Sequence, residues 1–408
     1  MPTSSDHRKI RVLAFAEGAT LAHTARILAL SAALPEQEFS LTIACSPRFQ
    51  WALKDSAWPS VSLDCQAPEV FARRLANGLP IYTHRVLERY VAQDAQLIDE
   101  YAPDIIVGDF RISLGVSARK RGIHYLNLTN AYWSPNFSAP PPLPSLPLLS
   151  LLPIKLGEKL FRSTYPLATK LHAIPMEKLR RKHGMPSLNH DLGRVYCDAD
   201  TVAFCDLPEL YDKRVLPPNH HFLGPVLWSP PVPLPAWWSE VDTRQPLIYV
   251  TLGSSGDKRL LHKVVTGLAT LGYPLAVARA GAKLDTTGLA ANILVADYLP
   301  GDMMCQRAVL VVCNGGAPTT QQALAAGKPV LCIPHNLDQY MNTRRIEHAR
   351  VGLSLRSDRV SHESIERVAR KLIDKTIFTQ QAFALGQSQV PSASQVFTSL
   401  LRKIAQSA

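Results

Sequence analysis

Long apolar runs are missing from this chain. Nowhere do roughly eighteen apolar residues follow one another, so no membrane-spanning helix is expected. The opening, MPTSSDHRKIRVLAFAEG, holds an apolar run too short for the core of a secretory leader, and none is expected there. Cysteine is sparse: there are 7, at positions 45, 65, 197, 205, 305, 313 and 332, with no Cys-x-x-Cys pair. An odd count without metal-ligand spacing, mostly in apolar strand-like surroundings, argues for buried reduced thiols in a cytoplasm rather than zinc or disulfides. No Gly-x-Gly-x-x-Gly closes a strand ahead of a suitably spaced acidic residue, so a nicotinamide cofactor is not expected. Acidic residues are in deficit, 33 against 44 Lys+Arg, for a net charge of +11. The basic residues are scattered, and no dense basic block with interleaved aromatics occurs, so nucleic acid is not an expected partner. A weak peripheral attraction to a membrane surface is compatible with the balance.

What is present is a soluble-type composition, 46% hydrophobic and 19% charged, over 408 residues. That length is natural for two domains of roughly 200 residues each. The most informative stretch runs from residue 309 to 342, VLVVCNGGAPTTQQALAAGKPVLCIPHNLDQYMN. Its continuous apolar start predicts a strand buried on both faces, as in a parallel sheet. Asn314-Gly315-Gly316 then turns the chain, Pro318 suits a first helical position, and Gly327 and Pro329 stop the helix before a further strand. The resulting helix N-terminus favours an anion such as a phosphate, because unpaired N–H groups and the helix dipole point at it. Gly-Gly taken alone reads better as a tight turn that needs glycine for its backbone.

Over its whole length the stretch resembles the donor-binding motif of nucleotide-sugar-dependent glycosyltransferases of GT-B fold, the family of UDP-glucosyltransferases and of macrolide and glycopeptide glycosyltransferases. The matching residues are Asn314, Gly315 and Gly316, Thr319 and Thr320, Ala325 to Pro329, Pro334, Asp338-Gln339 and Asn342. Asn314 stands where the family usually has His, and Gln322 where many members have a ribose-binding Glu. The resemblance implies an α/β chain with two Rossmann-like domains whose parallel sheets face across a cleft. The expected division is an acceptor-binding domain at 1–225, a Pro-rich linker at 226–245, a donor-binding domain at 246–385, and a C-terminal helix at 386–408 packing back on the first domain.

In the first half, KIRVLAFA reads as a strand and LAHTARILALSAAL as a helix, so His23 falls in a first helical turn at the sheet's C-terminal edge. Asp109 ends the buried strand of PDIIVGDF, and there it can equally cap the helix that follows. HYLNLTNA is the last strand expected in this half. Residues 134–160, dense in Pro and Leu, have no period until their end and read as a long loop. That loop is expected to line an apolar acceptor pocket, to contact a partner or membrane, or to pack on its own domain. In the second half, LIYVTL followed by Gly253-Ser254-Ser255-Gly256 gives a second strand–turn–helix whose N-terminus can also face an anion. Tyr298 closes a later strand, as a packing residue or as the family's aromatic near the nucleotide base.

The resemblance implies His23 as general base and Asp109 as its partner. It also implies Ser254, Ser255, Gly315, Gly316 and Thr319 at the diphosphate, Asn314 and Gln322 at the nucleotide, and Asp338 and Gln339 at the sugar. The expected activity is inverting transfer of a sugar from a UDP- or dTDP-sugar to a hydroxyl of a small, apolar or lipid acceptor. No cofactor beyond that donor substrate, and no metal, is implied. The alternatives are a non-catalytic GT-B partner of another transferase and a nucleotide-sugar epimerase of the same fold.

Overall fold

Two all-parallel sheets carry the chain, and each contains one break in strand order. The computed structural model describes residues 8–407 apart from 138, 147–148, 150, 240–244, 254 and 388–390. It divides into two compact units: residues 1–138, 165–226 and 391–408 make the first, and 139–164 and 227–390 the second.

The first unit holds β1 (Ile10–Ala16), β2 (Phe39–Cys45), β3 (Ser60–Ser62), β4 (Ile105–Asp109), β5 (His124–Thr129), β6 (Thr201–Phe204) and β7 (His220–Phe222), in the order β3-β2-β1-β4-β5-β6-β7. Every residue of β4 is buried. That explains its apolar run up to Asp109, because helices cover both faces of a parallel sheet. One face packs on Ile27 and Leu30 of the Leu21–Ser31 helix and on Phe397, Leu400, Leu401 and Ile404 of the Ala393–Ser407 helix. Each such side chain contributes roughly 1.5–3 kcal/mol on burial. An Arg402–Glu38 ion pair at 2.8 Å adds a surface tie to the same contact. The opposite face packs on Leu97 and Ile98 of the His84–Tyr101 helix. The chain leaves β1 for β2 and β3, then returns to lay β4 on the other side of β1. Loops at the C-terminal ends of β1 and β4 therefore part in opposite directions, which opens a crevice for a ligand.

The second unit holds β8 (Leu247–Thr251), β9 (Leu275–Ala278), β10 (Ile293–Ala296), β11 (Ala308–Cys313), β12 (Val330–Cys332) and β13 (Gly352–Ser354), in the order β10-β9-β8-β11-β12-β13. Its order breaks between β8 and β11, which pair in parallel with Thr251 opposite Cys313.

Three assignments from sequence are revised. Residues 139–164 belong to the second unit, not the first. Arg356 donates to the carbonyl of Leu143 at 2.6 Å and of Pro144 at 3.3 Å, Arg344 donates to that of Pro140, and Ser145 N–H donates to His335 O at 3.1 Å. The prolines of this stretch offer carbonyls but no N–H groups, so guanidinium donors take much of its hydrogen bonding. The expected linker also joins the second unit from Leu227 on. Gln322 donates to Trp228 O at 2.7 Å, and Arg307 lies 4.6 Å from the Trp238 ring centre. Finally, β6 and β7 extend the first sheet beyond β5. Strands of three or four residues are too short to show a period.

Candidate active site

The first site grows from the break between β1 and β4. Register sets Ala16 opposite Asp109, so both strands end at one level. Glu17 N–H donates to Asp109 O at 3.1 Å, which joins the two departing loops. His23 is the third residue of the Leu21–Ser31 helix. It meets Asp109 Oδ1 through Nδ1 at 2.7 Å, with Asp109 buried and the ring partly open to solvent. An ionised carboxylate only accepts, so Nδ1 carries the hydrogen and Nε2 is left as the basic nitrogen.

Arg26, one helical turn after His23, donates to the same Asp109 oxygen at 3.2 Å and to Asn130 Oδ1 at 3.1 Å. Burial alone would depress this guanidinium, but the Asp109 carboxylate, with smaller help from groups including Asp206, more than offsets it and keeps the cation charged. Asn130 in turn donates to Asp206 at 3.0 Å. Part of the Asp109 field is thus already opposed by a permanent cation.

Phe110 follows Asp109 at φ 60°, a left-handed conformation that a bulky side chain rarely adopts. The turn lays its ring almost parallel to His23, 5.3 Å between centres and 9° between planes. Phe71, Tyr82 and Tyr196 surround Phe110 with centres 6.1, 6.4 and 5.3 Å away. Behind the turn, Arg111 is fully buried and donates to Glu17 at 3.2 Å and Asp94 at 2.9 Å, while Tyr90 donates to Glu17 at 2.9 Å. Burial raises the Glu17 carboxyl, and Arg111 and Tyr90 pull it back in part. This satisfied network, which breaks down if any partner is lost, holds the unusual turn in place.

The sequence does hold one Asp-x-Asp triplet, Asp198-Ala199-Asp200, and it lies in this unit as well. Arg119 takes Asp198 at 2.5 Å, Arg180 takes its other oxygen, and Asp200 accepts from Tyr125 N–H at 2.9 Å. Its carboxylates are committed to holding the fold.

The second site forms at the break between β8 and β11. Asn314, buried, donates to Ser255 Oγ at 3.2 Å and accepts from Gly316 N–H at 3.0 Å, so one amide bridges both loops. Gly315 sits at φ +78°, and a Cβ there would stand 2.3 Å from Thr343 Oγ1. Asn342 donates to Gly315 O at 2.8 Å and to Thr320 Oγ1 at 2.9 Å, clamping the turn from beneath. The Ala317–Ala325 helix then starts at Gly316 with no side-chain cap, and half-buried Thr319 lies in its first turn. First-turn N–H groups lack intrahelical partners, and such an end suits an anion. The turn after β8 differs from expectation. It passes through Lys258–Leu260 before the Leu261–Ala269 helix, and Asp257 already caps it by accepting from Arg259 N–H at 3.2 Å.

The other expected residues are placed as follows. Ser254 lies outside the described residues. Ser255 is exposed, and its Oγ also accepts from Gln339 at 3.2 Å. Gln339 is buried; its carbonyl accepts from His335 N–H at 2.9 Å and from Asn336 N–H at 3.4 Å, and the second bond, with Gln339 N–H donating to Asn336 Oδ1 at 3.1 Å, makes the capping box of the Leu337–His348 helix. Asp338 stands half-buried in that helix's first turn. Gln322 turns toward Trp228 and Ser229, and Tyr298 is exposed. Reasoning from sequence missed Arg26, Phe110, Glu17 and Arg111. Only Arg26 left a local signal, three residues after His23 on one helix face.

Comparison with known proteins adds to this geometry. A family described as "Erythromycin biosynthesis protein CIII-like, C-terminal domain" matches residues 263–400. A PGL/p-HBAD biosynthesis glycosyltransferase of Mycobacterium tuberculosis (strain ATCC 25177 / H37Ra) is 41% identical over 384 residues, 94% of this chain and 90% of that protein. A PGL/p-HBAD biosynthesis rhamnosyltransferase of Mycobacterium bovis (strain BCG / Pasteur 1173P2) is 40% identical over 381 residues, 93% and 84% of the two chains. Among solved structures, the glycosyltransferase VinC in complex with DTDP shares the fold at a TM-score of 0.69 and 16% identity, over 98% of this chain and 100% of its own. Two parallel-sheet units with sites at their strand-order breaks, and relatives this similar over nearly the full length, place the chain among the nucleotide-sugar-dependent glycosyltransferases of GT-B fold: it is a glycosyltransferase.

Proposed function

We propose that this enzyme transfers a sugar, with inversion and without a metal, from a UDP- or dTDP-sugar to a hydroxyl of an apolar acceptor, with His23 as base. The observation that carries the reading is the His23–Asp109 hydrogen bond at 2.7 Å, which leaves Nε2 free of hydrogen. Nε2 takes the hydroxyl proton as the acceptor oxygen bonds to the anomeric carbon. The bond from that carbon to the diphosphate breaks on the opposite face, and its electron pair leaves with the diphosphate. N–H groups of Gly315, Gly316 and the helix start, with Thr319, Ser254 and Ser255, receive that charge. Asn314 holds the two loops in register, Asp338 binds sugar hydroxyls, and Gln339 shapes that site. Gln322 and Tyr298 border the nucleoside.

The acceptor is proposed to be a glycolipid precursor with an aromatic or otherwise apolar body. The ring cluster of Phe110, Phe71, Tyr82 and Tyr196 beside His23 supports this, as do relatives named for PGL/p-HBAD biosynthesis. The relative named a rhamnosyltransferase supports a deoxyhexose donor.

A panel of UDP- and dTDP-sugars, incubated with a lipid extract and read by mass spectrometry, tests the reaction. His23→Ala is expected to lower turnover by about 10²–10⁴ while nucleotide binding by calorimetry persists. Undiminished transfer by that variant would remove His23 from its role.

A further inference from the structure

One side of the long helix Ile154–Lys182 leaves leucine in water. Leu156, Leu160, Leu167 and Leu171 are 52%, 44%, 63% and 47% exposed. They stand at i, i+4, i+11 and i+15, positions that a regular helix of 3.6 residues per turn gathers within an arc of about 60°, with Pro166 inside the helix between the second and the third. Phe161, Met176 and Leu179, which are buried, lie on the opposite side of the helix. Leu151, just before the helix, is 83% exposed. Single exposed leucines are ordinary, but a stripe of four along one helix is a patch.

Charge says what covers it. Lys155, Lys159 and Lys170 are exposed along one flank of the stripe, and Lys178 and Arg181 continue its line toward the helix end. Glu158 falls on the far side and lies 3.8 Å from Arg162, and Glu177, which shares the angle of Lys159, is buried and accepts from Leu188 and His190 N–H, so no exposed acidic residue interrupts the basic flank. The chain as a whole carries +11. Leucines in a narrow stripe with lysines at its margin suit a helix lying in the plane of an anionic bilayer. There the leucines enter the acyl boundary and the lysine stems reach back to lipid phosphates. Among the described residues no helix is long and apolar enough to cross a membrane, so the contact is peripheral.

We propose that this helix face docks the enzyme on an anionic lipid surface. The inference does not depend on the identity of donor, acceptor or base, and its test does not read sugar transfer.

The full chain is sedimented with phosphatidylcholine vesicles, with and without phosphatidylglycerol, at low and high salt. Partitioning to the anionic vesicles should exceed that to neutral ones by about tenfold or more, and salt should weaken it. The variant carrying Leu156→Ser, Leu160→Ser, Leu167→Ser and Leu171→Ser should bind about tenfold or more weakly, because it loses the buried apolar area. Lys155→Glu with Lys159→Glu and Lys170→Glu should abolish the preference for anionic lipid while leaving any weak neutral binding. Because all seven side chains are exposed, both variants should keep the wild-type melting curve. Failure of the wild type to bind anionic vesicles would overturn the proposal, as would leucine-variant binding equal to wild type. So would a wild-type dimer on size-exclusion chromatography that the leucine variant converts to monomer, since a second copy would then cover the stripe.

Discussion

Asp109 offers one carboxylate oxygen to two cationic or potentially cationic partners, His23 at 2.7 Å and Arg26 at 3.2 Å. Its role is therefore double: it orients the imidazole and balances a largely buried guanidinium. The two roles separate in mutants. Asp109→Asn should reduce turnover by as much as about 10⁴, as when a triad carboxylate is lost and the tautomer is no longer fixed. It should also destabilise the fold by about 3–5 kcal/mol, because Arg26 is left uncompensated. His23→Ala should reduce turnover with little loss of stability. Parallel kinetics and urea melts check this; equal stability of the two variants would contradict the shared-oxygen reading.

Arg26→Met removes the positive charge that opposes imidazole protonation. The acidic limb of the kcat/KM profile should then move to higher pH, since imidazolium is better tolerated beside an unopposed carboxylate. Arg26→Lys, which keeps the charge, should leave that limb in place. A profile for Arg26→Met that overlays the wild type would show the cation to be purely structural.

Gly315→Ala forces a left-handed residue to carry a Cβ 2.3 Å from Thr343 Oγ1. The backbone strain alone is worth about 1–3 kcal/mol, and the turn is expected to shift off Asn342. Binding of UDP or dTDP by calorimetry should fall more than about tenfold, against 1.4 kcal/mol per decade. Gly316→Ala, with φ −69° and its nearest contact at 3.2 Å, should be markedly milder.

Thiol labelling tests the reading of the cysteines. Burial pushes Cys45 up to about 11, and Cys197 and Cys205 up to about 12, so little reactive thiolate exists near neutral pH. The native protein should resist iodoacetamide at pH 7.5, and all 7 cysteines should react after denaturation. Rapid native labelling at any of these three positions would contradict their placement.

Much of the architecture was readable one residue at a time. Strands covered on both faces are nearly continuous apolar runs, and Ile10–Ala16, Ile105–Asp109, Leu247–Thr251 and Ala308–Cys313 announce themselves in that way. The turn at Gly315 was readable for a similar reason: its backbone lies where only glycine is comfortable. Local rules such as burial and φ leave local traces.

Pairing across the chain leaves none. His23 and Asp109 are 86 residues apart, and nothing in either segment names the other. They meet because strand order sets β4 beside β1 with Ala16 opposite Asp109. The same long-range packing turned Gln322 toward Trp228 and gave Asp109 its second partner in Arg26. It also laid residues 139–146 against arginines some two hundred positions later. By itself the sequence specified the longer strands and helices that carry the site and which residues stand at their ends. Tertiary structure decided which of those ends face one another, because hydrogen bonds and ion pairs are distributed by the order in which strands join a sheet.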